Sequence, residues 1–173
     1  MKTRRIIWTL IVTPAIFAAT VPDSEQVTKL LSEAKTQSFQ LKEDAVTMES
    51  FNRMAVSVDT QKAMINQIRD HINTLGRTEA KLKDAAGAAA PWQKLVINRI
   101  LPFLDELVGY TSAVIEQYNG EVHHNFAEMK DYLEANADYS TDLAKMIADF
   151  VDYGRTKDRL QNLKEKLEIP AGQ

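Results

Sequence analysis

The chain has no cysteine among its 173 residues. That excludes a disulfide framework, lipid attachment through an N-terminal cysteine, a cysteine nucleophile, and covalent haem through Cys-x-x-Cys-His. Glycine and proline are scarce, at six and five residues. No glycine cluster makes a phosphate-binding loop or a Gly-x-Ser-x-Gly elbow. Histidine occurs three times, never as His-Glu-x-x-His. No run of alternating β-branched residues is long enough to predict a strand. Excess positive charge is also missing. The formal net charge is −3, which disfavours nucleic-acid binding, since that relies on neutralising phosphates.

What is present begins with the first twenty residues. Lys2, Arg4 and Arg5 precede a mostly apolar run from Ile6 to Ala18, and small residues follow. This is the layout of a secretory signal peptide. The run is 13 residues long and contains Pro14, whereas a membrane-spanning helix needs about 20. A cleaved signal over residues 1–19 is therefore expected, cut after Ala18 or Ala19, with a mature domain over residues 20–173. An uncleaved signal anchor is the competing reading, and would be the chain's only route to a membrane. Removing residues 1–18 takes three basic residues and no acidic one. Lys and Arg fall from 21 to 18 against 24 Asp and Glu, so the net charge becomes −6. The remainder is one domain of ordinary size, and 45% hydrophobic residues argue against disorder.

Helical periodicity dominates that domain. Asp23 or Ser24 caps a first helix, along which Val27, Ala34, Leu41, Met48 and Ala55 recur every seven residues, the mark of an amphipathic helix. Ser57 or Asp59 is placed to cap a second helix, from about Thr60 to Ala86, with a stripe of Met64, Ile65, Ile68, Ile72, Leu75 and Leu82. No Gly or Pro separates the two, so a single long helix competes. Gly87 and Pro91 mark the next boundary. A third helix runs from Pro91 to Tyr118, with a kink expected at Pro102, and ends at Asn119-Gly120. Its expected buried face is Val96, Ile100, Phe103, Leu104, Leu107, Thr111, Val114, Ile115 and Tyr118. Trp92 is expected to cover the end of the second helix. The fourth segment, Val122 to Glu168, has the stripe Phe126, Met129, Leu133, Leu143, Met146, Ile147, Phe150 and Val151. Asn136–Asp142 is a candidate kink or break.

Short loops between such helices make antiparallel neighbours. The fold expected is all-α, an elongated up-down four-helix bundle with a long C-terminal helix. The excess length falls on Arg155–Glu168, which is highly charged and has leucines only at 160, 163 and 167.

Few motifs suggest chemistry. Glu121-Val122-His123-His124 reads Glu-x-x-His, but di-iron bundles use two such copies plus two further glutamates. Here it follows a turn signal, and a solvated first turn explains it. His71, at the rim of the second stripe, reads as a hydrogen-bonded packing residue. Met129 and Met146 read as core filler rather than haem ligands. Tyr132, Tyr139 and Tyr153 lie at multiples of seven, with Met146 in the gap. They form either the border of the core or an aromatic strip for docking a partner.

The segments HINTLG (71–76), PWQKLVINRILPFL (91–104) and DFVDYGRTKDRL (149–160) resemble parts of exported bacterial helical proteins of unassigned function. The resemblance implies export and a helical fold, and transfers no site. The functional expectation is a periplasmic or secreted, non-catalytic binding or scaffolding bundle without a cofactor. It would engage a protein partner, or a second copy of itself, through coiled-coil-like helix contacts. Tyr132, Tyr139, Tyr153, Leu160, Leu163 and Leu167 are the candidate partner-binding residues. The alternative is a metal- or haem-binding bundle with a redox or storage role. An envelope chaperone is a third possibility.

Overall fold

Two serines start the first two helices. In the computed structural model, which describes residues 22–54, 56–119 and 126–170, Ser24 and Ser57 adopt extended backbone. Their hydroxyls accept from the amides of Val27 at 3.4 Å and Thr60 at 3.2 Å. Each thereby satisfies a first-turn donor that has no partner within the helix. The result is two separate helices, α1 (Glu25–Ser50) and α2 (Val58–Ala85). The seven-residue recurrence through position 55 overshoots the end of α1. A tight turn over Phe51–Arg53 follows instead, and Arg53 grips Glu49 with both guanidinium nitrogens, at 2.9 and 3.3 Å. The Ser57 cap wins over the weaker periodicity.

The other two helices are α3 (Pro91–Asn119) and α4 (Phe126–Lys166). Pro91 opens α3, where its missing N–H has no intrahelical acceptor to lose. The helix continues through Pro102. Pro102 and Asn98 are both exposed, so the carbonyl freed at Asn98 lies on the solvent side, where water can satisfy it. The helix α4 runs unbroken through 136–142. Two of the polar residues in that stretch, Asn136 and Ser140, are buried, and the Thr111 hydroxyl donates to Asn136 Oδ1 at 3.2 Å.

Cross-helix pairs set the topology. Trp92 meets Tyr153, Phe103 meets Tyr139, and Tyr110 meets Tyr132. Rising numbers on α3 match falling numbers on α4, so these helices are antiparallel. The starts of α1 and α3 lie together, since Ser24 is hydrogen-bonded to Gln93. The principal packing is α1 with α2 and α4, and α3 with α2 and α4. This is a four-helix bundle with α1 and α3 on one diagonal. Among the described residues there is no strand, and no helix is long and apolar enough to cross a membrane.

The core fills the space between the four apolar stripes. Leu31, Leu41, Met48, Ile68, Leu75, Leu82, Ile100, Leu107, Met129, Leu133, Leu143 and Ile147 are all essentially inaccessible to solvent. Each such side chain contributes about 1.5–3 kcal/mol by burial. One end of the core is closed by a polar knot. Gln93, fully buried, accepts from the amides of Ser24 (3.0 Å) and Ala90 (2.9 Å). It donates to the Ser24 carbonyl and the Thr28 hydroxyl, both at 3.1 Å. Its amide thus ties α1 to the start of α3. Trp92 completes this end differently from expectation. Its indole N–H donates to Asp23 at 2.9 Å, and its ring lies on Gly154 of α4 rather than over the end of α2. A Cβ at Gly154 would come within 2.7 Å of the indole, so glycine is what admits the ring.

Among the described residues, α4 is the helix that continues beyond that end. It has 41 residues against 26 to 29 in the others. Relative to α1 the excess is about 22 Å at 1.5 Å per residue. No residue from Arg155 to Pro170 is buried. The helix nevertheless ends in an ordered way. Ile169 N–H donates to the Lys164 carbonyl and Glu168 N–H to the Glu165 carbonyl, while Glu168 takes a left-handed conformation with φ 53°. This is a Schellman cap with a non-glycine residue in the position glycine favours.

Candidate docking surface on the fourth helix

One line of residues runs the length of α4. Tyr132, Tyr139, Met146, Tyr153, Leu160 and Leu167 are separated by seven residues each. In a straight α-helix such a line drifts about 20° per heptad. Over the five steps from Tyr132 to Leu167 the rotation reaches about 100°. The burial follows that drift. Tyr132, Tyr139 and Met146 are half-buried against the core, whereas Tyr153, Leu160 and Leu167 are 52%, 54% and 64% exposed.

The candidate residues therefore divide into two groups. Tyr132 and Tyr139 belong to a ring cluster completed by Tyr110 and Phe103 of α3, with centroids 5.3 to 6.4 Å apart. Such offset pairs stabilise beyond simple burial. The Tyr110 phenol is held above its ordinary pKa, first by its hydrogen bond to Tyr139, then by burial. Tyr153 stands apart, packed edge-on against Trp92 at 5.4 Å. Between the groups lies an open groove of about 450 Å³, lined by Arg99, Phe103, Asp142, Met146, Phe150 and Tyr153. The Arg99 guanidinium lies over the Phe150 ring at 5.9 Å. Lys145 donates to Asp149 at 2.7 Å, and that bond is the main reason its pKa is raised.

Leu160, Leu163 and Leu167 form the second group. Leu163 is 46% exposed and Ile169 beyond it 41%. The buried face of α4 comprises Met129, Leu133, Asn136, Ala137, Ser140, Leu143, Ala144, Ile147, Val151 and Gly154. Extended at the same spacing, it continues as Asp158, Gln161 and Glu165. The side that faces the core inside the bundle is thus polar outside it, and the leucines lie on another side. They continue the tyrosine line past the point where α3 stops.

The remaining sequence candidates carry less. Glu121, His123 and His124 lie outside the described residues. His71 sits at the boundary of α1 and α2, its Nδ1 2.7 Å from Asp44 Oδ2, while Gln67 donates to Asp44 Oδ1 at 3.1 Å. These three side chains line an open polar groove of about 820 Å³ with Lys35, Glu43 and Arg155. Among the described residues no three His, Asp or Glu side chains converge as metal ligands would.

Sequence reasoning missed Gln93, Tyr110 and the packing role of Gly154. The first two left a trace: Gln93 precedes an apolar run by two residues, and Tyr110 lies seven residues beyond Phe103. Nothing local marks Gly154 as a contact, because its partner is 62 residues away. No protein-family model, curated protein or solved structure matches this chain.

Proposed function

We propose that this protein is an exported, non-catalytic binding or scaffolding protein of the cell envelope, and that it engages a helical partner through the projecting end of α4. One observation carries this reading: Leu160, Leu163 and Leu167 form an exposed edge on a helix that outruns its own bundle. Single exposed leucines are ordinary on protein surfaces. Three at spacings of three and four, all exposed on one helix, have the pattern used in helix-to-helix recognition. The basic-then-apolar layout of residues 1–19 supports export. Binding is preferred to catalysis because the distinctive surface is an apolar helix edge rather than a pair of reacting groups.

The test expresses the full chain in an exporting host. N-terminal sequencing is expected to find a chain beginning at Ala19 or Thr20. Recovery of Met1 in the membrane pellet would support the anchor instead. Deleting residues 155–173 is expected to keep the helical circular dichroism and abolish capture of the partner from the envelope fraction. A deletion that unfolds the bundle would place the segment in the core and defeat the reading.

A further inference from the structure

We infer that the projecting end of α4 is built to receive an acidic amphipathic helix of another polypeptide, seated on the edge Leu160, Leu163, Leu167. The inference rests on the binding reading above and specifies the partner's chemistry. Within the bundle α3 occupies the tyrosine line of α4, through Tyr110, Phe103 and Trp92. At Pro91 α3 begins, and beyond that level no helix among the described residues packs on the line.

Charge decides which helix fits. Taking Leu160 and Leu167 as position a and Leu163 as d, the positions beside the seam are Lys157, Arg159, Lys164 and Lys166. All four are basic. Lys157 is held by Asp23 of its own chain, and Arg159, Lys164 and Lys166 have no ion pair among the described residues. The acidic residues Asp158 and Glu165 lie on the far side of the helix, at position f. Residues alongside the seam set partner choice in coiled coils. A second copy of this chain would bring like charges together in either orientation. In a parallel pair Arg159 would face Lys164, and in an antiparallel pair lysine would face lysine. A partner with glutamate or aspartate beside its own apolar seam turns each of these repulsions into an attraction.

An anionic lipid surface is the other basic-helix ligand, and the observations favour it less. The apolar stripe is the narrow a/d kind rather than a broad face. No Trp or Phe lies within residues 155–170, and Asp158 and Glu165 occupy the opposite side.

The test measures binding of the full chain, as processed by an exporting host, to three synthetic peptides of about three heptads. One has leucine at a and d with glutamate at e and g. The second has lysine at e and g. The third is the glutamate peptide with its order scrambled. Wild type is expected to bind the first alone, more weakly as salt rises. Replacing Arg159→Glu, Lys164→Glu and Lys166→Glu together is expected to lower that affinity about tenfold or more and to create binding of the lysine peptide. Equal binding of the scrambled peptide, preference for the lysine peptide, or no binding of any peptide would overturn the inference. So would self-association that disappears with Leu160→Asp, or binding to anionic vesicles in place of peptide. A triple variant Leu160→Asp, Leu163→Asp and Leu167→Asp separates the two levels. If it loses the peptide while the charge-reversed protein keeps it, the acidic specification fails and the docking surface stands. If it binds like wild type, the docking surface fails too.

Discussion

The two parts of α4 are one continuous helix in opposite circumstances. From Phe126 to Gly154 it packs against α1 and α3 and supplies Leu133, Leu143, Ile147 and Val151 to the core. From Arg155 to Lys166 it has no buried residue. The charge divides at the same point. Residues 22–154 hold thirteen Lys and Arg against twenty-one Asp and Glu, a balance of −8. Residues 155–173 hold five against three, a balance of +2. The comparison teaches that helix and fold membership are separate questions. The projecting part keeps helical spacing, leucines and a C-terminal cap, yet the side of it that continues the core-facing stripe is polar.

The sharpest way to break this comparison is to truncate aliphatic side chains in the bundle core and in the projecting segment. Leu104→Ala or Ile147→Ala is expected to cost about 2–5 kcal/mol, since each leaves a cavity in a packed interior. Leu163→Ala is expected to stay within about 0.5 kcal/mol, because its side chain lies on the surface, 46% exposed, and leaves no internal cavity. Chemical denaturation checks both. Equal losses would mean that the projecting segment is part of the core.

The polar knot at the junction comes next. Gln93→Ala is expected to destabilise by about 2–4 kcal/mol, because it strands buried amides and a carbonyl at the starts of α1 and α3. A loss below 1 kcal/mol would show that water replaces the glutamine, and that the two helix starts are not held by it. Gly154→Ala follows, at about 1–3 kcal/mol, since the new methyl group must displace the Trp92 ring. Trp92→Leu in the same chain is expected to remove most of that penalty, and additive losses would show that the contact is not its source.

The smallest effect is at the far tip. Glu168→Gly is expected to stabilise the last turn of α4 by about 0.5–1 kcal/mol, by relieving a left-handed conformation that glycine adopts freely. Hydrogen exchange at Leu163–Leu167 reads this locally. Slower exchange there, with no change through Leu143–Val151, is the result that keeps the two regions distinct. A change in both would couple them.

Much of this architecture was legible in the residues. The stripes Val27–Met48 and Ile65–Leu82 are buried because their spacing matches the helical turn. Ser57 resolved the boundary between the first two helices through local capping, without help from Gly or Pro. Other readings failed for physical reasons. Periodicity predicted more α1 than exists, because it carries no information about where a cap competes. Trp92 was assigned to the wrong neighbour, because a side chain's reach across the bundle depends on which helices are adjacent. The tyrosine line could be seen in the sequence, but not where along it the cover of α3 ends.

The sequence alone indicated the helical segments, their polar and apolar sides, and the charged residues around the last three leucines. All of these depend on spacings of one to seven residues, within which backbone and side chain interact locally. The tertiary structure decided that α1 and α3 share an end through Gln93, that Gly154 admits Trp92, and that the tyrosine line is covered as far as Tyr139 and open beyond Tyr153. These depend on contacts between residues some 30 to 70 positions apart, whose meeting is set by how four helices share one core rather than by any local pattern.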